Sequence, residues 1–347
     1  MSAKLNDPVV WDDWHPVAIA SQIVQGAITP TRLLELPLAL WRDSAGQVHA
    51  WEDRCPHCGT PFSLGSVDGD SVRCAYHGWR FASDGRCTRI PALPALGEGA
   101  LKGRATTFAV QERHGLVWVC LGTPRSCVVA FPEGDDAGLR KVWCGPYDVH
   151  SSAARIVDNF LDIAHFAFVH EGILGAQDQA AVADYTVETF DEPQYGQGIR
   201  TARCRAWQPQ ASRAAAGGAD IEYGYRVVRP LCAVLTKRSV VSDVSGVSGG
   251  GQRDAIGLFL HPVSETHTRV WFILALSDHA SSDDALRQFQ DTLFLQDLPI
   301  LESQRPQRLP LTPGAEVSVV SDRMSLAYRG YLKQQRLRYG VLRDGDY

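Results

Sequence analysis

Little in this chain of 347 residues points to a membrane or a polyanion. Its most apolar stretches, such as Val270 to Leu276, fall far short of the ~20 residues a spanning helix needs. Positive charge is not in excess: the formal net charge is −5, which leaves no electrostatic footprint for nucleic acid or an anionic membrane surface. The N-terminus, M-S-A-K-L-N-D-P-V-V-W-D-D-W, lacks a basic segment followed by an apolar one, so no secretory signal is expected. The nine cysteines therefore belong in a reducing, cytoplasmic setting where disulfides are rare and clustered cysteines more often bind metal. Internal repeats are missing, as is a glycine-rich dinucleotide fingerprint in a strand–turn–helix context. Any nicotinamide site is expected on a partner.

What is present is ordinary in bulk. The sequence is 45% hydrophobic and 21% charged, and its length suits a large core in two domains. Residues 14–122 read as β-rich. Short apolar runs at Trp14 to Ile19, Leu36 to Trp41, Val48 to Trp51 and Leu116 to Leu121 are separated by turn signals such as Ser83-Asp-Gly85. Residues 1–125 form the first expected domain and 126–347 the second, with the boundary near the Pro124 to Pro132 connector. In the second, Arg155 to His170 reads as a helix stopped at Glu171-Gly172. Strands are expected at Tyr185 to Phe190, Gly198 to Gln208, Ile221 to Arg229, Ala233 to Asp243, Ala255 to Val263 and Thr268 to Ser277. Flexible linkers are expected at Ala214 to Gly218 and Ser245 to Gly251. A helix capped by Ser281 to Asp284 should run to about Asp297, ahead of Pro299, and a last one should cover about Ser318 to Tyr339. The fold class is α+β: a small all-β domain, then an antiparallel sheet with helices on one face.

The chemistry concentrates in residues 55–77, C-P-H-C-G-T-P-F-S-L-G-S-V-D-G-D-S-V-R-C-A-Y-H. Cys55 with His57, and Cys74 with His77, offer two thiolates and two imidazoles, the set that a Rieske 2Fe–2S centre requires. Cys58 complicates the pattern, because Cys55, Cys58, Cys74 and His77 also make the Cys₃His set of a zinc-ribbon binding module.

A second constellation lies in D-N-F-L-D-I-A-H-F-A-F-V-H, residues 158–170. Asp162 and His165 are three apart and share a helix face. His165 and His170 are five apart, roughly 140° around an ideal helix, so one ion can hold both only if the helix bulges or ends. Two histidines and a distant carboxylate make the facial triad of non-haem Fe(II) oxygenases. Alone, the histidines read more readily as buried helix residues satisfied by hydrogen bonds. Beside a cluster that delivers electrons they gain a purpose.

The chain resembles the oxygenase component of Rieske non-haem iron oxygenases, most closely the caffeine N-demethylase and vanillate or dicamba O-demethylase types. The resemblance rests on W-H-P-V (14–17), C-P-H (55–57), S-L-G (63–65), C-A-Y-H-G-W (74–79), E-R-H-G-L-V-W-V (112–119) and the 158–170 segment. Q-D-L-P-I-L-E-S-Q (296–304) and E-V-S-V-V-S-D-R-M-S-L-A-Y-R (316–329) extend it. It implies a Rieske domain followed by a helix-grip-like catalytic domain. Cys55 and Cys74 would bind the ferric iron of the 2Fe–2S cluster, and His57 and His77 the valence-changing iron. His165, His170 and Asp297 would hold a mononuclear Fe(II), with Asp291 and Glu302 as rival carboxylates nearby. Asp162 would bridge cluster and iron across a subunit boundary in a head-to-tail homotrimer, and Asn159 would line the site. Substrate would lie near Asn159, the Tyr223 to Leu235 strands, Leu293 and Phe294. Where the family usually has Arg after C-P-H, this chain has Cys58, read as a neighbour that tunes the cluster.

The implied activity is hydroxylation or oxidative N- or O-demethylation of a small aromatic or heterocyclic substrate. It would consume O₂ and electrons from NAD(P)H, delivered by a ferredoxin-type or flavin/2Fe–2S reductase. Arene cis-dihydroxylation is the alternative within the enzyme class.

Overall fold

The computed structural model describes residues 7–95, 97, 102–193, 195–210, 218–239 and 253–346. The chain divides into two compact units, Met1–Val128 and Val129–Tyr347.

Among its described residues, the first unit has a helical turn, α1 (Pro8–Trp11), and ten strands. These are β1 (His15–Ile19), β2 (Ile28–Leu33), β3 (Leu36–Arg42), β4 (Val48–Glu52), β5 (Ser66–Asp68), β6 (Ser71–Arg73), β7 (Arg80–Ala82), β8 (Cys87–Arg89), β9 (Thr107–Arg113) and β10 (Leu116–Cys120). Six form an antiparallel sheet in the order β1-β10-β9-β4-β3-β2, and β5 to β8 form a four-stranded meander. Along β3 every residue from Leu38 to Trp41 is buried, so both faces of the strand are covered. Period-two alternation sends Ala39 and Trp41 into the cluster that also holds Trp51, Phe62, Val72 and Phe81. Their rings meet edge to face: Trp41 on Trp51 at 5.3 Å, Trp51 on Phe62 at 5.3 Å, and Phe62 on Phe81 at 5.2 Å. This aromatic stack reaches Cys55 and Cys74, which belong to the same buried cluster.

The second unit begins with a short helix, α2 (Pro132–Asp135), and strand β11 (Arg140–Val149). Helices α3 (Ala153–Leu161) and α4 (Phe166–Val169) follow, then β12 (Thr186–Glu192), β13 (Gly196–Ala202), β14 (Cys204–Gln208), β15 (Ala219–Arg229), β16 (Cys232–Ser239), β17 (Arg253–Ser264) and β18 (His267–Leu276). The long helices α5 (Asp283–Ser303) and α6 (Arg323–Gln335) follow, and two-residue strands after each, Leu309–Pro310 and Val341–Leu342, pair in parallel. Strands β11 to β18 form one antiparallel sheet in the order β11-β18-β17-β16-β15-β13-β12, with β14 also paired to β15. Helix α3 is held by charge as well as apolar packing. Arg155 donates to Glu316 (2.6 Å) and to the Pro306 carbonyl, while Arg329 on α6 reaches Asp158 (2.8 Å) and Glu316 (2.9 Å).

Several expected boundaries move. The single helix expected from Arg155 to His170 is two: α3 ends at Asp162, whose backbone is extended, and α4 starts after His165. The Asp162 carboxylate accepts from the Ala164 N–H (2.7 Å), so a side chain displaces the helical bond. The expected strand from Gly198 to Gln208 breaks at Arg203, which takes a left-handed conformation between β13 and β14. Helix α5 passes through Pro299 to Ser303, and α6 is shorter than expected, ending at a left-handed Arg336. The Ser245 to Gly251 linker, the 240–243 end of the strand expected there, and the Ala214 to Gly218 linker apart from Gly218 lie outside the described residues.

Candidate functional site

Two centres emerge, one in each unit. In the first, two five-residue turns present the metal-type residues. Each starts at a cysteine and closes when a glycine N–H reaches the cysteine carbonyl: Gly59 to Cys55 at 2.9 Å and Gly78 to Cys74 at 3.1 Å. Gly59 and Gly78 both sit at positive φ (+78° and +67°), where a Cβ would strain the turn. Each cysteine N–H is bound in turn by the carbonyl five residues ahead, Thr60 (2.8 Å) and Trp79 (2.9 Å). The result puts Cys55 and Cys74 inside, 1% and 3% exposed, with His57 and His77 at the surface.

The donors sort by softness. Burial pushes the Cys55 thiol up to about 11 and the neighbouring Cys74 thiol adds to this, while backbone N–H groups of His57 and Cys58 work the other way. Two buried sulfurs side by side are soft donors suited to a cation between them. The imidazoles of His57 and His77 lie 4.7 Å apart, centroid to centroid, and Trp79 stacks on His57 at 4.3 Å. Cys58 is exposed, and its sulfur lies within 4.8 Å of ring nitrogens of both histidines.

In the second unit the break at Asp162 turns the helix axis, so His165 and His170 converge, their rings 5.1 Å apart. Asp297 arrives from α5. Its Oδ1 is 3.5 Å from His165 Nε2 and 3.2 Å from His170 Nε2, so all three donors surround one point. His170 Nδ1 meets Gln296 Oε1 at 2.8 Å, which makes Nδ1 the protonated nitrogen and leaves Nε2 as the donor. On the far side of His165, Nδ1 faces Asp162 Oδ2 at 3.4 Å. Burial opposes an imidazolium at His170, but the Asp297 carboxylate and Gln296 outweigh it and hold its pKa above the ordinary value. Asp297 Oδ1 and His165 Nδ1 are buried without a hydrogen bond, an unmet demand that a divalent cation would answer at the carboxylate. The rival carboxylates are engaged elsewhere: Asp291 accepts from the Tyr147 hydroxyl, and Glu302 from the His150 N–H.

A cavity opens on this triad. Asn159, Leu293 and Phe294 line it, with Tyr225 from β15 and Leu235 from β16. Sequence reasoning missed Phe160, Ile256, Leu258, Phe272 and Gln290. Counting back from Asp297 along α5 reaches Phe294, Leu293 and Gln290 at steps of three, four and seven, the spacing of one helix face. That signal was available for Gln290.

A Rieske [2Fe-2S] domain model matches residues 13–108, and a vanillate O-demethylase oxygenase C-terminal domain model matches residues 149–338, more than half of the chain. The chain belongs to the Rieske oxygenases. Over 243 residues, 70% of this chain and 83% of the relative, it is 37% identical to a probable methylxanthine N7-demethylase of a Pseudomonas species (strain TJI-51). Over 329 residues, 92% of this chain and 88% of the relative, it is 29% identical to the methylxanthine N1-demethylase NdmA of Pseudomonas putida. The solved structure of Pseudomonas putida NdmA with caffeine superposes with a TM-score of 0.76 at 27% identity, covering 94% of this chain and 90% of that one. This Rieske oxygenase is therefore an oxidoreductase that uses dioxygen and electrons from a separate, NAD(P)H-fed reductase to hydroxylate or oxidatively demethylate a small molecule. The zinc-ribbon alternative is left without support. Among the described residues, no helix is long and apolar enough to cross a membrane.

Proposed function

We propose that this oxygenase removes an N-methyl group from a flat, uncharged heterocycle of the methylxanthine kind. The observation that carries the reading is the cavity lining. Apart from the triad it offers aromatic walls, aliphatic side chains, two neutral amides (Asn159 and Gln290) and the Tyr225 hydroxyl, with no Lys or Arg among the lining residues. Phe160, Phe272 and Phe294 pack against one another, Phe272 lying 6.2 Å from Phe160 and 5.4 Å from Phe294, and form an aromatic wall against which a planar ring can stack. A carboxylate substrate would find no Lys or Arg side chain to replace its water. A neutral ring with carbonyl and ring-nitrogen acceptors can use the amides instead. The methylxanthine relatives support the same class.

In this reading Cys55, Cys74, His57 and His77 hold the cluster, and His165, His170 and Asp297 hold the mononuclear iron. When bound, the two centres supply single electrons and the activation of dioxygen. The protein does the rest. Gln296 keeps the His170 proton on Nδ1, so that Nε2 faces the metal position. Asp162 fixes His165 from the opposite side and, in a head-to-tail trimer, takes a hydrogen bond from the partner subunit's His77. The cavity walls exclude water and aim the methyl group at the open side of the triad, while the amides fix the ring's orientation. Loss of the methyl carbon as formaldehyde follows from hydroxylation of an N-methyl group. The setting is cytoplasmic, where reduced pyridine nucleotide is at hand.

The test is to assay the purified oxygenase with a surrogate reductase and NADH against caffeine, theobromine, theophylline and vanillate. Formaldehyde from one or more methylxanthines and none from vanillate supports the reading. Preferential turnover of vanillate contradicts it.

A further inference from the structure

We propose that Cys58 is a reserve ligand for the exposed iron of the cluster, so that this centre has three protein donors for two positions. The proposal rests on the assignment of the cluster to Cys55, His57, Cys74 and His77.

The two metal turns are the same structure used twice. Both run from cysteine to a left-handed glycine four residues later, with matching hydrogen bonds at each end. Aligned by position, C-P-H-C-G over C-A-Y-H-G, Cys58 occupies the place from which the second turn presents His77. The first turn thus carries a donor at its third residue and another at its fourth. The Cys58 sulfur and ring nitrogens of His57 and His77 all lie within 4.8 Å of one another. Donors at about 2.0–2.3 Å from one tetrahedral ion stand roughly 3–4 Å apart, so a small rotation of the exposed Cys58 side chain closes the gap.

Chemistry favours the exchange once a position opens. Thiolate is the softer donor and the usual ligand of iron–sulfur clusters, whereas imidazole is the substitute that defines the Rieske type. In the exchange one Fe–N bond breaks and one Fe–S bond forms. The thiol proton passes to the released imidazole, and neither iron nor sulfur changes oxidation state. The product is a cluster with three thiolates and one histidine, still bound but lower in potential, because each replaced imidazole adds negative charge. The outer iron is then retained when a histidine is lost or displaced.

The experiment measures iron, acid-labile sulfide, visible absorption and the EPR spectrum of the reduced protein. Four full-length proteins are compared: wild type, Cys58→Ser, His57→Ala and the His57→Ala/Cys58→Ser double variant. Wild type and Cys58→Ser should show the same Rieske spectrum. If wild type lacks it, the cluster assignment fails and the proposal falls with it, an outcome distinct from those below. His57→Ala should keep most of its cluster with a spectrum shifted toward the all-thiolate ferredoxin type, and the double variant should lose at least tenfold in cluster content. Equal loss in both, or equal retention in both, overturns the proposal. Should His57→Ala fail to accumulate folded, a Cys55→Ser/Cys74→Ser protein is titrated with Co(II). A thiolate-to-cobalt charge-transfer band that disappears on adding Cys58→Ser supports the donor set, and no band in the parent overturns it.

Discussion

Replacing Gln296 with methionine keeps the volume of the side chain but removes the acceptor for His170. The bond is 2.8 Å long, and His170 is only 2% exposed, so water does not take over. A buried donor left unpaired costs about 1–3 kcal/mol. That penalty falls on the tautomer that offers Nε2 to the metal, because the other tautomer moves the proton to the donor position. At 1.36 kcal/mol per factor of ten, the mononuclear iron site should weaken by roughly 5–150-fold. Loss of such supporting partners elsewhere costs about 10–100-fold in metal affinity, which agrees. The assay is competition for Fe(II) between the enzyme, its cluster intact, and a chelator of known affinity. Gln296→Glu, which still accepts from Nδ1, should bind at least as well as wild type. If Gln296→Met holds iron within a factor of two of wild type, the hydrogen bond does not position His170 and the reasoning fails.

Other consequences are equally direct. Asp162→Asn should keep both the Rieske spectrum and the mononuclear iron, because its amide oxygen can still accept from Ala164, yet formaldehyde release should fall to near background; normal turnover would remove Asp162 from the electron route. For Glu316, burial alone would raise the carboxyl, but the Arg155 hydrogen bond and the charges of Arg155 and Arg329 hold it below the usual range. Its stabilisation is then present above the unfolded-state pKa and lost as pH falls through the lower folded value. Urea midpoints measured on acidification should drop more steeply for wild type than for Glu316→Gln, and parallel curves would show that the pair contributes nothing. Trp51→Ala removes a fully buried ring from the aromatic stack behind Cys55 and Cys74 and should cost about 3–5 kcal/mol. Cluster loss should accompany unfolding in the same denaturant titration; a change under 1 kcal/mol would mean that the stack does not support the metal turns.

How far the sequence reveals this protein depends on how local each feature is. The proposed cluster ligands are legible because both turns are short and carry their own glycine closures, so Cys55, His57, Cys74 and His77 stand out without knowledge of the fold. His165 and His170 are legible as a pair, but their convergence depends on a helix break that composition hides. Phe166 to Val169 favour continuation, and only the Asp162 side chain, by capping Ala164, stops it. Asp297 comes from a helix far along the chain, and spacing could not choose it over Asp291 or Glu302. Helix α5 runs past Pro299 because tertiary packing overrides a local preference. The cavity is the least legible part, since Tyr225, Leu235, Ile256 and Phe272 become neighbours through the register of β15 to β18.

The proposed reaction is oxidative N-demethylation at a cluster-fed iron site that prefers an uncharged ring. The most direct measurement follows methylxanthine, NADH and formaldehyde together in one reconstituted reaction, with vanillate as the anionic comparison. Demethylated product and formaldehyde should appear in equal amounts, coupled to NADH use, with no coupled product from vanillate. A cis-diol product, or efficient demethylation of vanillate with the methylxanthines untouched, would contradict it.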